Sequence, residues 1–144
     1  MIKFSEDRLS VAEYLELREA VGWKRLSDRQ AELALENCIY QISAYDIDEN
    51  NKRRLIGMGR IVGDGAVICY IQDLIVLPEY HGRGVGSVLM DHLKDYVASL
   101  SAQGEQMMLA LMCAKGREGF YEIHGFVPRP TEDLGPGMIM YIQK

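Results

Sequence analysis

The stretch YIQDLIVLPEYHGRGVGSVL, residues 70–89, decides the fold. Its first part, up to Val76, is apolar and typical of a buried strand, and its second part passes through three glycines into a helix. From Val85 onward the apolar residues recur every three or four positions, as Val88, Leu89, Leu93, Tyr96, Val97 and Leu100. This spacing predicts a helix with one buried face that begins near Gly84 and ends before Gly104.

The turn before this helix has the features of an anion site. Glycines at 82, 84 and 86 permit unusual backbone dihedral angles and let a ligand approach unpaired amides. A helix N-terminus carries partial positive charge, which suits a phosphate or pyrophosphate, and Arg83 adds a fixed cation. The alternative is a helix start whose glycines serve tight packing alone.

Two other phosphate-binding motifs are excluded. The dinucleotide pattern G-x-G-x-x-G fails because Ser87 stands where the third glycine belongs, and no N-terminal strand-helix-strand unit surrounds the turn. The nucleoside-triphosphate loop fails because the chain contains no Gly-Lys-Ser or Gly-Lys-Thr.

Two segments resemble signatures of the GNAT family of N-acetyltransferases. The segment from His81 to Gly86 is similar to that family's acyl-coenzyme A motif, Q/R-x-x-G-x-G/A, with histidine in the first position instead of glutamine or arginine. The downstream segment from Phe120 to Phe126 is similar to the family's F-Y-x-x-x-G-F. Two motifs in the expected order are far more specific than either one alone.

The predicted elements follow the same family along nearly the whole chain. The patterns S-x-x-E from Ser10 and S-x-x-Q from Ser27 predict two capped helices after a short first strand. The Asp64-Gly65 pair predicts a hairpin, and Phe126–Val127 and Met138 to Ile142 are predicted as the last strands. The predicted order is β-α-α-β-β-β-α-β-α-β-β, an α/β (α+β) GNAT fold in a single domain over residues 1–144.

The resemblance implies a mixed sheet of six to seven strands, splayed between the fourth and fifth strands. The pantothenate arm of acetyl-coenzyme A is then expected to pair in the gap with backbone at Leu74 and Val76, like an extra strand. The residues expected to bind the coenzyme are Leu74, Ile75, Val76, His81, Gly82, Arg83, Gly84, Val85, Gly86 and Ser87. Many relatives carry an asparagine seven residues before the motif tyrosine, and Ala114 in that place removes one coenzyme contact.

The resemblance also assigns Tyr121 the protonation of the leaving thiolate. A phenol has an unperturbed pKa of about 10 and stays protonated at neutral pH, yet it can donate to a thiolate formed in a dry cleft. The alternative is a core tyrosine that tethers the short helix. A backbone amide between Leu74 and Val76 is the expected oxyanion donor.

The sequence offers candidates for the general base and for the acceptor pocket, and two of them have a structural alternative. Asp73 is the only acid in the central strand and is either the base or a structural hydrogen-bonded carboxylate. Tyr70 and Gln72 are expected on the opposite face of the strand from Asp73, lining the acceptor pocket. Trp23 is a candidate wall of that pocket or a residue packed between two helices.

Composition narrows the class of protein. The chain has 144 residues, 48% of them hydrophobic, and a net charge of −5, which argues against a nucleic-acid surface and favours cationic partners such as amines. The three cysteines are expected to be reduced, with no metal site. The absence of a signal-like start or a long apolar run predicts a cytoplasmic protein without a membrane anchor.

The leading hypothesis is an acetyl-coenzyme A-dependent N-acetyltransferase that moves an acetyl group to a primary amine by direct attack in a ternary complex. The alternatives are a coenzyme A-binding sensor of the same fold and a structural dimerising domain with an empty cleft. A homodimer formed through the last strands is compatible with the sequence. The acceptor, whether a small molecule or a peptide, is left open.

Overall fold

The structure, a computed structural model, describes residues 1–144. The strands are β1 (Ile2–Ser5), β2 (Tyr40–Ile47), β3 (Arg53–Gly63), β4 (Ile68–Val76) and β5 (Met108–Leu111). The helices are α1 (Val11–Ala20), α2 (Asp28–Asn37), α3 (Val85–Leu100) and α4 (Glu118–Ile123), and a single 3-10 turn at Pro78–Tyr80 precedes α3. The first nine predicted elements are therefore present in the predicted order.

One mixed sheet contains the five strands in the order β1-β2-β3-β4-β5. The first four strands pair antiparallel, and β5 pairs parallel to β4. Parallel neighbours need a crossover connection, which α3 supplies. The two strands that flank α3 therefore run in the same direction.

Helices α1 and α2 begin at the residues that the sequence indicates. Ser10 accepts a hydrogen bond from the Glu13 amide, and the Glu13 carboxylate accepts one from the Ser10 amide. Ser27 and Gln30 make the same reciprocal pair at the start of α2. These capping boxes satisfy amides that a helix start would otherwise leave unpaired.

Helix α3 packs closely on β3 because two glycines leave room for it. A Cβ atom on Gly57 would lie 2.7 Å from the Ile75 carbonyl oxygen and 3.3 Å from Leu89, and one on Gly59 would lie 2.8 Å from Leu93. Leu89 and Leu93 are fully buried. The glycines thus let the apolar face of α3 cover this side of the sheet, while α1 and α2 cover the other.

The chain divides into two compact units, Met1–Leu111 and Met112–Lys144. The first unit contains the whole sheet with α1, α2 and α3. The second contains α4, which is followed by His124 at its C-cap and by Gly125 in the left-handed conformation with φ of 95°. That the whole chain forms one acetyltransferase domain stays a prediction.

The two last predicted strands are absent, so the sheet has five strands rather than six or seven. Phe126–Val127 is followed by Pro128 and Pro130, which have no amide hydrogen to donate to a neighbouring strand. Met138 to Ile142 is apolar enough for a strand but has no regular secondary structure. An apolar run predicts burial, whereas a strand also requires a partner.

No helix of the structure is long and apolar enough to span a membrane.

Substitution of Gly57 by alanine tests the packing of α3. We expect Gly57→Ala to lower the free energy of unfolding by about 1–3 kcal/mol, because its Cβ would meet a backbone oxygen that cannot rotate away. The measurement is urea denaturation followed by circular dichroism. The control is Gly119→Ala in α4, where an added Cβ meets nothing within 4 Å. Equal unfolding midpoints for Gly57→Ala and the wild-type protein would contradict this packing.

Candidate active site

The site begins where β5 stops pairing with β4. β5 pairs with β4 only from Ile68 to Ile71. At the next residue the register between β3 and β4 shifts, because Arg60 pairs with Asp73 and Ile61 with Ile71, which leaves Gln72 without a partner. This is a β-bulge on β4, a feature that bends a strand and increases its twist. The sheet therefore opens between β4 and β5 beyond Ile71.

Backbone groups at Leu74 and Val76 point into this opening. The Leu77 amide donates to the Ile56 carbonyl across the β3 side at 2.8 Å. Because successive residues of an antiparallel strand alternate in direction, Ile75 also bonds toward β3, while Leu74 and Val76 point the other way. No strand pairs with β4 on that side after Ile71. Of the three consecutive residues expected to bind the coenzyme here, Leu74 and Val76 thus offer backbone hydrogen bonds and Ile75 does not.

The glycine turn follows directly. Gly82 and Gly84 have φ of 77° and 79°, the left-handed region that disfavours other residues, and an added Cβ at either would meet nothing within 4 Å. The first intrahelical bond of α3 runs from the Val88 amide to the Gly84 carbonyl. The amides of Val85 and Gly86 therefore precede the hydrogen-bonded part of the helix, as an anion site at a helix N-terminus requires.

The two basic side chains of the turn, His81 and Arg83, have different neighbours. The His81 Nε2 atom lies 2.9 Å from the Val76 carbonyl oxygen, and because a carbonyl only accepts, Nε2 carries the proton. His81, which departs from the motif's usual residue, thus holds the end of β4. Arg83 is exposed and lies over the Tyr80 ring at 4.9 Å. Its guanidinium therefore lies beside Tyr80, whose hydroxyl donates to Asp46 at 2.7 Å.

Asp73 is the centre of a buried polar cluster. The residue is 1% exposed, and Oδ2 accepts hydrogen bonds from the Tyr14 hydroxyl at 2.5 Å and from Arg60 Nε at 2.6 Å. Oδ1 lies 3.4 Å from Arg18 Nη1. Arg60 also donates to the Ala34 carbonyl of α2 at 3.1 Å. These contacts favour the structural role that the sequence left open for Asp73, because its oxygens already bind donors from α1 and β3.

The cluster changes the acidity of Tyr14. Burial first, and then the neighbouring Asp73 carboxylate, raise the Tyr14 pKa from its ordinary value of 10.0 to about 12. The Tyr14 hydroxyl is therefore a permanent donor to Asp73 at physiological pH. This hydrogen bond ties α1 to the middle of β4.

Trp23 lies beside the same cluster. The Arg18 guanidinium is 5.1 Å from the Trp23 ring and 5.5 Å from the Tyr14 ring, so it lies within cation–π range of both. Trp23 is 37% exposed, and its amide donates to the Arg18 carbonyl at 3.0 Å. The structure thus brings Trp23 to the Asp73 side of the sheet with part of its ring accessible to a ligand.

The expected placement of Tyr70 opposite Asp73 is wrong. Tyr70 pairs with Val62, which is two residues from Arg60 on β3 and so lies on the same face as Arg60 and Asp73. The bulge at Gln72 interrupts the alternation that the sequence pattern assumed. Tyr70 is half-buried and Gln72 is exposed. Tyr70 is therefore on the face that α1 and α2 cover, together with Asp73.

Tyr121 lies in the second unit, within a small aromatic cluster. Its ring is 5.2 Å from Phe120 and 5.9 Å from Phe126, both edge-to-face, and Phe120 is 4.8 Å from His124. The Phe126 amide donates to the Tyr121 carbonyl at 3.1 Å, which closes the end of α4. Burial, followed by the nearby Cys113, raises the Tyr121 pKa, so the phenol stays protonated beyond its ordinary range.

Sequence reasoning missed the residues that hold Asp73. Arg60 offered a signal, because it is a charged residue inside the largely apolar run from Leu55 to Val62. A buried charge requires a partner, and the other charge within a central strand is Asp73. Tyr14 and Arg18 offered no comparable signal, since both fit an ordinary helix.

Removal of the Tyr14 hydroxyl tests the cluster. Tyr14→Phe is expected to lower the free energy of unfolding at pH 7 by about 1–3 kcal/mol, because the buried Asp73 loses a donor. The raised pKa stabilises the folded state fully below pH 10.0, and this contribution is lost as the pH rises to about 12. The difference between the two proteins in urea denaturation should therefore shrink over that range.

Tyr45→Phe is the matched control, since Tyr45 is also buried and its ring contacts Arg53, but its hydroxyl donates no hydrogen bond to a carboxylate. A loss of stability at pH 7 that is as large for Tyr45→Phe as for Tyr14→Phe would show that the hydrogen bond to Asp73 is not what the hydroxyl contributes.

Comparison with known proteins identifies the family. Residues 42–128 match the family model described as "Acetyltransferase (GNAT) domain". An uncharacterized ycf52-like N-acetyltransferase from Prochlorococcus marinus is 31% identical over 88% of this chain and 68% of its own length. Serotonin N-acetyltransferase 2, chloroplastic, from Oryza sativa subsp. japonica is 29% identical over 97% of this chain and 66% of its own length.

A solved structure shows the same architecture. The crystal structure of a probable acetyltransferase from meticillin-resistant Staphylococcus aureus has 31% sequence identity and a TM-score of 0.83, and the match covers 99% of this chain and 100% of the other. The five-stranded mixed sheet with four helices, the glycine turn at the start of α3 and these matches lead to one assignment: this chain belongs to the GNAT family of acetyltransferases.

Proposed function

We propose that this protein transfers an acetyl group from acetyl-coenzyme A to a primary amine by direct attack in a ternary complex. The observation that carries the proposal is the open side of β4 after Ile71, continuous with the left-handed glycines before α3. Backbone at Leu74 and Val76 would pair with the amides of the pantothenate arm. The amides of the turn, with Arg83, would bind the pyrophosphate.

The residues present fit this ligand. The amides of the pantothenate arm need an unpaired strand edge with which to form hydrogen bonds. β4 provides such an edge from Gln72 to Val76. A diphosphate needs close approach to backbone amides, and Gly82 and Gly84 have no neighbouring atom within 4 Å of the Cβ position. His81 already donates to the Val76 carbonyl, so the Leu74 amide and carbonyl and the Val76 amide would be the groups that pair with the ligand.

The chemistry joins the amine nitrogen to the acetyl carbon and breaks the bond between that carbon and sulfur. Tyr121 would give its phenolic proton to the departing thiolate, and its raised pKa keeps that proton in place until the thiolate forms. A backbone amide between Leu74 and Val76 would stabilise the oxyanion. The amine must lose a proton, and because the Asp73 oxygens are held by Tyr14, Arg60 and Arg18, a water chain fits this task better than Asp73.

The acceptor is proposed to be a primary amine that enters from the Asp73 side of the sheet. Trp23 and Tyr70 lie on this face, and Trp23 leaves part of an aromatic ring accessible. The rice relative is named for serotonin, a primary amine on an aromatic ring system. The net charge of −5 favours a cationic acceptor. A cytoplasmic location stays a prediction, and the rice relative is named chloroplastic.

The glycine turn is tested by Gly84→Ala. Its methyl group would project into the space that the diphosphate needs, so the rise in melting temperature caused by coenzyme A should be lost. Gly104→Ala is a matched control, because Gly104 has φ of 85°, meets nothing within 4 Å and lies outside the turn. Both variants should melt somewhat lower than the wild-type protein without ligand.

In this experiment only Gly84→Ala should fail to respond to coenzyme A. An equal response of both variants would place the diphosphate elsewhere, and no response from the wild-type protein would favour a structural domain with an empty cleft.

The role of Tyr121 is tested by Tyr121→Phe. We expect kcat at neutral pH to fall about 10²- to 10⁴-fold, because no proton donor then serves the thiolate, while the coenzyme A-induced rise in melting temperature persists. The assay follows free thiol with acetyl-coenzyme A and a panel of amines. Tyr40→Phe is the control, since Tyr40 stacks on Tyr96 and belongs to neither motif.

Unchanged turnover by Tyr121→Phe would contradict its role as the acid. Coenzyme binding by the wild-type protein without turnover of any amine would favour a coenzyme A sensor.

A further inference from the structure

A cavity of about 650 Å³ lies in the first unit, between α1 and the end of the β2–β3 hairpin. This volume is within the range of about 300–1,000 Å³ that is usual for small-molecule sites. None of the residues expected to bind the coenzyme or the acceptor lines the cavity. It is therefore separate from the opening beside β4, and the proposed acetyl transfer leaves it unused.

The cavity combines charged and apolar walls. On α1 the lining residues lie three or four positions apart, so they share one face of the helix, and they are Glu13, Glu16, Leu17 and Ala20. The hairpin forms the opposite wall and contributes three consecutive bases at positions 52–54. Leu55 and Leu77 complete an apolar surface together with the buried Leu17. A ligand that fits this cavity therefore has both charged and apolar parts.

Several of the charged groups that line the cavity already have partners within the protein. Asp46 accepts a hydrogen bond from the Tyr80 hydroxyl at 2.7 Å, and Arg54 pairs with Glu79 at 2.6 Å. The Asp48 carboxylate accepts hydrogen bonds from two amides of its own turn, at 2.8 and 2.9 Å. These groups shape the rim of the cavity and need no ligand.

Three other charged side chains have no ionic partner. Glu16 on the α1 wall makes no ion pair, whereas Glu13 on the same wall is held in the capping box. On the hairpin wall, Lys52 makes no ion pair, and the Arg53 guanidinium lies over the Tyr45 ring at 4.2 Å rather than against a carboxylate. One unpaired acid and two unpaired bases thus lie on opposite walls of the same cavity.

We propose that this cavity binds an α-amino acid or a short peptide with free termini. The ammonium group would lie at Glu16, and the carboxylate would lie at Arg53 and Lys52, since a guanidinium can bind both oxygens of a carboxylate. Apolar side chains of the ligand would cover Leu17 and Leu55. A ligand with only one of the two charges would leave the other wall unpaired, which is how the site would discriminate.

The first test is isothermal titration calorimetry of the unmodified protein without coenzyme A. Leucine and the dipeptide Leu-Leu should each bind with saturation, and the tighter of the two identifies the free amino acid or the peptide as the preferred ligand. N-acetyl-Leu-Leu, which lacks the ammonium, and Leu-Leu amide, which lacks the carboxylate, should each bind about three- to tenfold more weakly than Leu-Leu. No saturable binding of leucine or Leu-Leu at millimolar concentration would overturn the proposal.

Two variants assign each end of the ligand to its wall. Glu16→Gln should weaken the binding of Leu-Leu about three- to tenfold but leave that of N-acetyl-Leu-Leu unchanged, because the acetylated peptide has no ammonium to lose. Arg53→Gln should likewise weaken the binding of Leu-Leu and leave that of Leu-Leu amide unchanged. If either variant weakens both of its ligands equally, the assigned contact does not exist.

The matched controls are Glu32→Gln and Arg29→Gln in α2. They make the same changes of charge at exposed residues outside the cavity, and they should bind Leu-Leu as the wild-type protein does. Equal losses in these controls would show that net charge governs binding and would contradict the site.

Ala20→Phe tests the place of binding. Ala20 is an exposed residue of α1 that lines the cavity, so a phenyl ring there should fill the space and abolish Leu-Leu binding without changing the helical circular dichroism signal. The rise in melting temperature caused by coenzyme A should persist, which separates this proposal from the proposed function. Leu-Leu binding that survives in Ala20→Phe but is lost in Trp23→Ala would place the peptide at the acceptor face and overturn the proposal.

Discussion

The pairing of β5 with only the first half of β4 is the constraint on which the site depends. Four residues, Ile68 to Ile71, pair with β5, and the bulge at Gln72 then turns the rest of β4 away. A buried strand edge is costly unless something pairs with it. The same opening exposes backbone at Leu74 and Val76 and leads to the glycine turn, so one local irregularity produces a groove that fits a ligand rich in amides and phosphates.

The polar cluster around Asp73 explains how β4 keeps this shape. Tyr14 of α1 and Arg60 of β3 both bind Oδ2, and Arg60 also reaches a carbonyl of α2. A buried charge pair with these additional hydrogen bonds is costly to break, since loss of one partner leaves the other uncompensated. The cluster therefore fixes the residue next to the bulge from two helices and a neighbouring strand. Asp73 serves the site by holding the strand, whether or not it also accepts a proton.

Much of the fold could be predicted from the sequence because local signals agree with it. The capping boxes at Ser10 and Ser27 mark two helix starts, and the glycines at 82 and 84 have the positive φ that only glycine adopts readily. The bulge could not be predicted, since no residue near Gln72 marks it, and strict alternation along the strand therefore predicts the wrong face for Tyr70. Apolarity alone predicts the last strands, whereas a strand also depends on its pairing register, which an apolar run does not specify.

Amide hydrogen exchange at Leu74 and Val76, measured with and without coenzyme A, tests the central claim most directly. Both amides point into the opening, so they should exchange rapidly in the free protein and slow by at least tenfold when the coenzyme pairs with them, while the Ile75 amide, already bonded to β3, should change little. Unchanged exchange at both residues in the presence of saturating coenzyme A would show that the open side of β4 is not where the ligand binds.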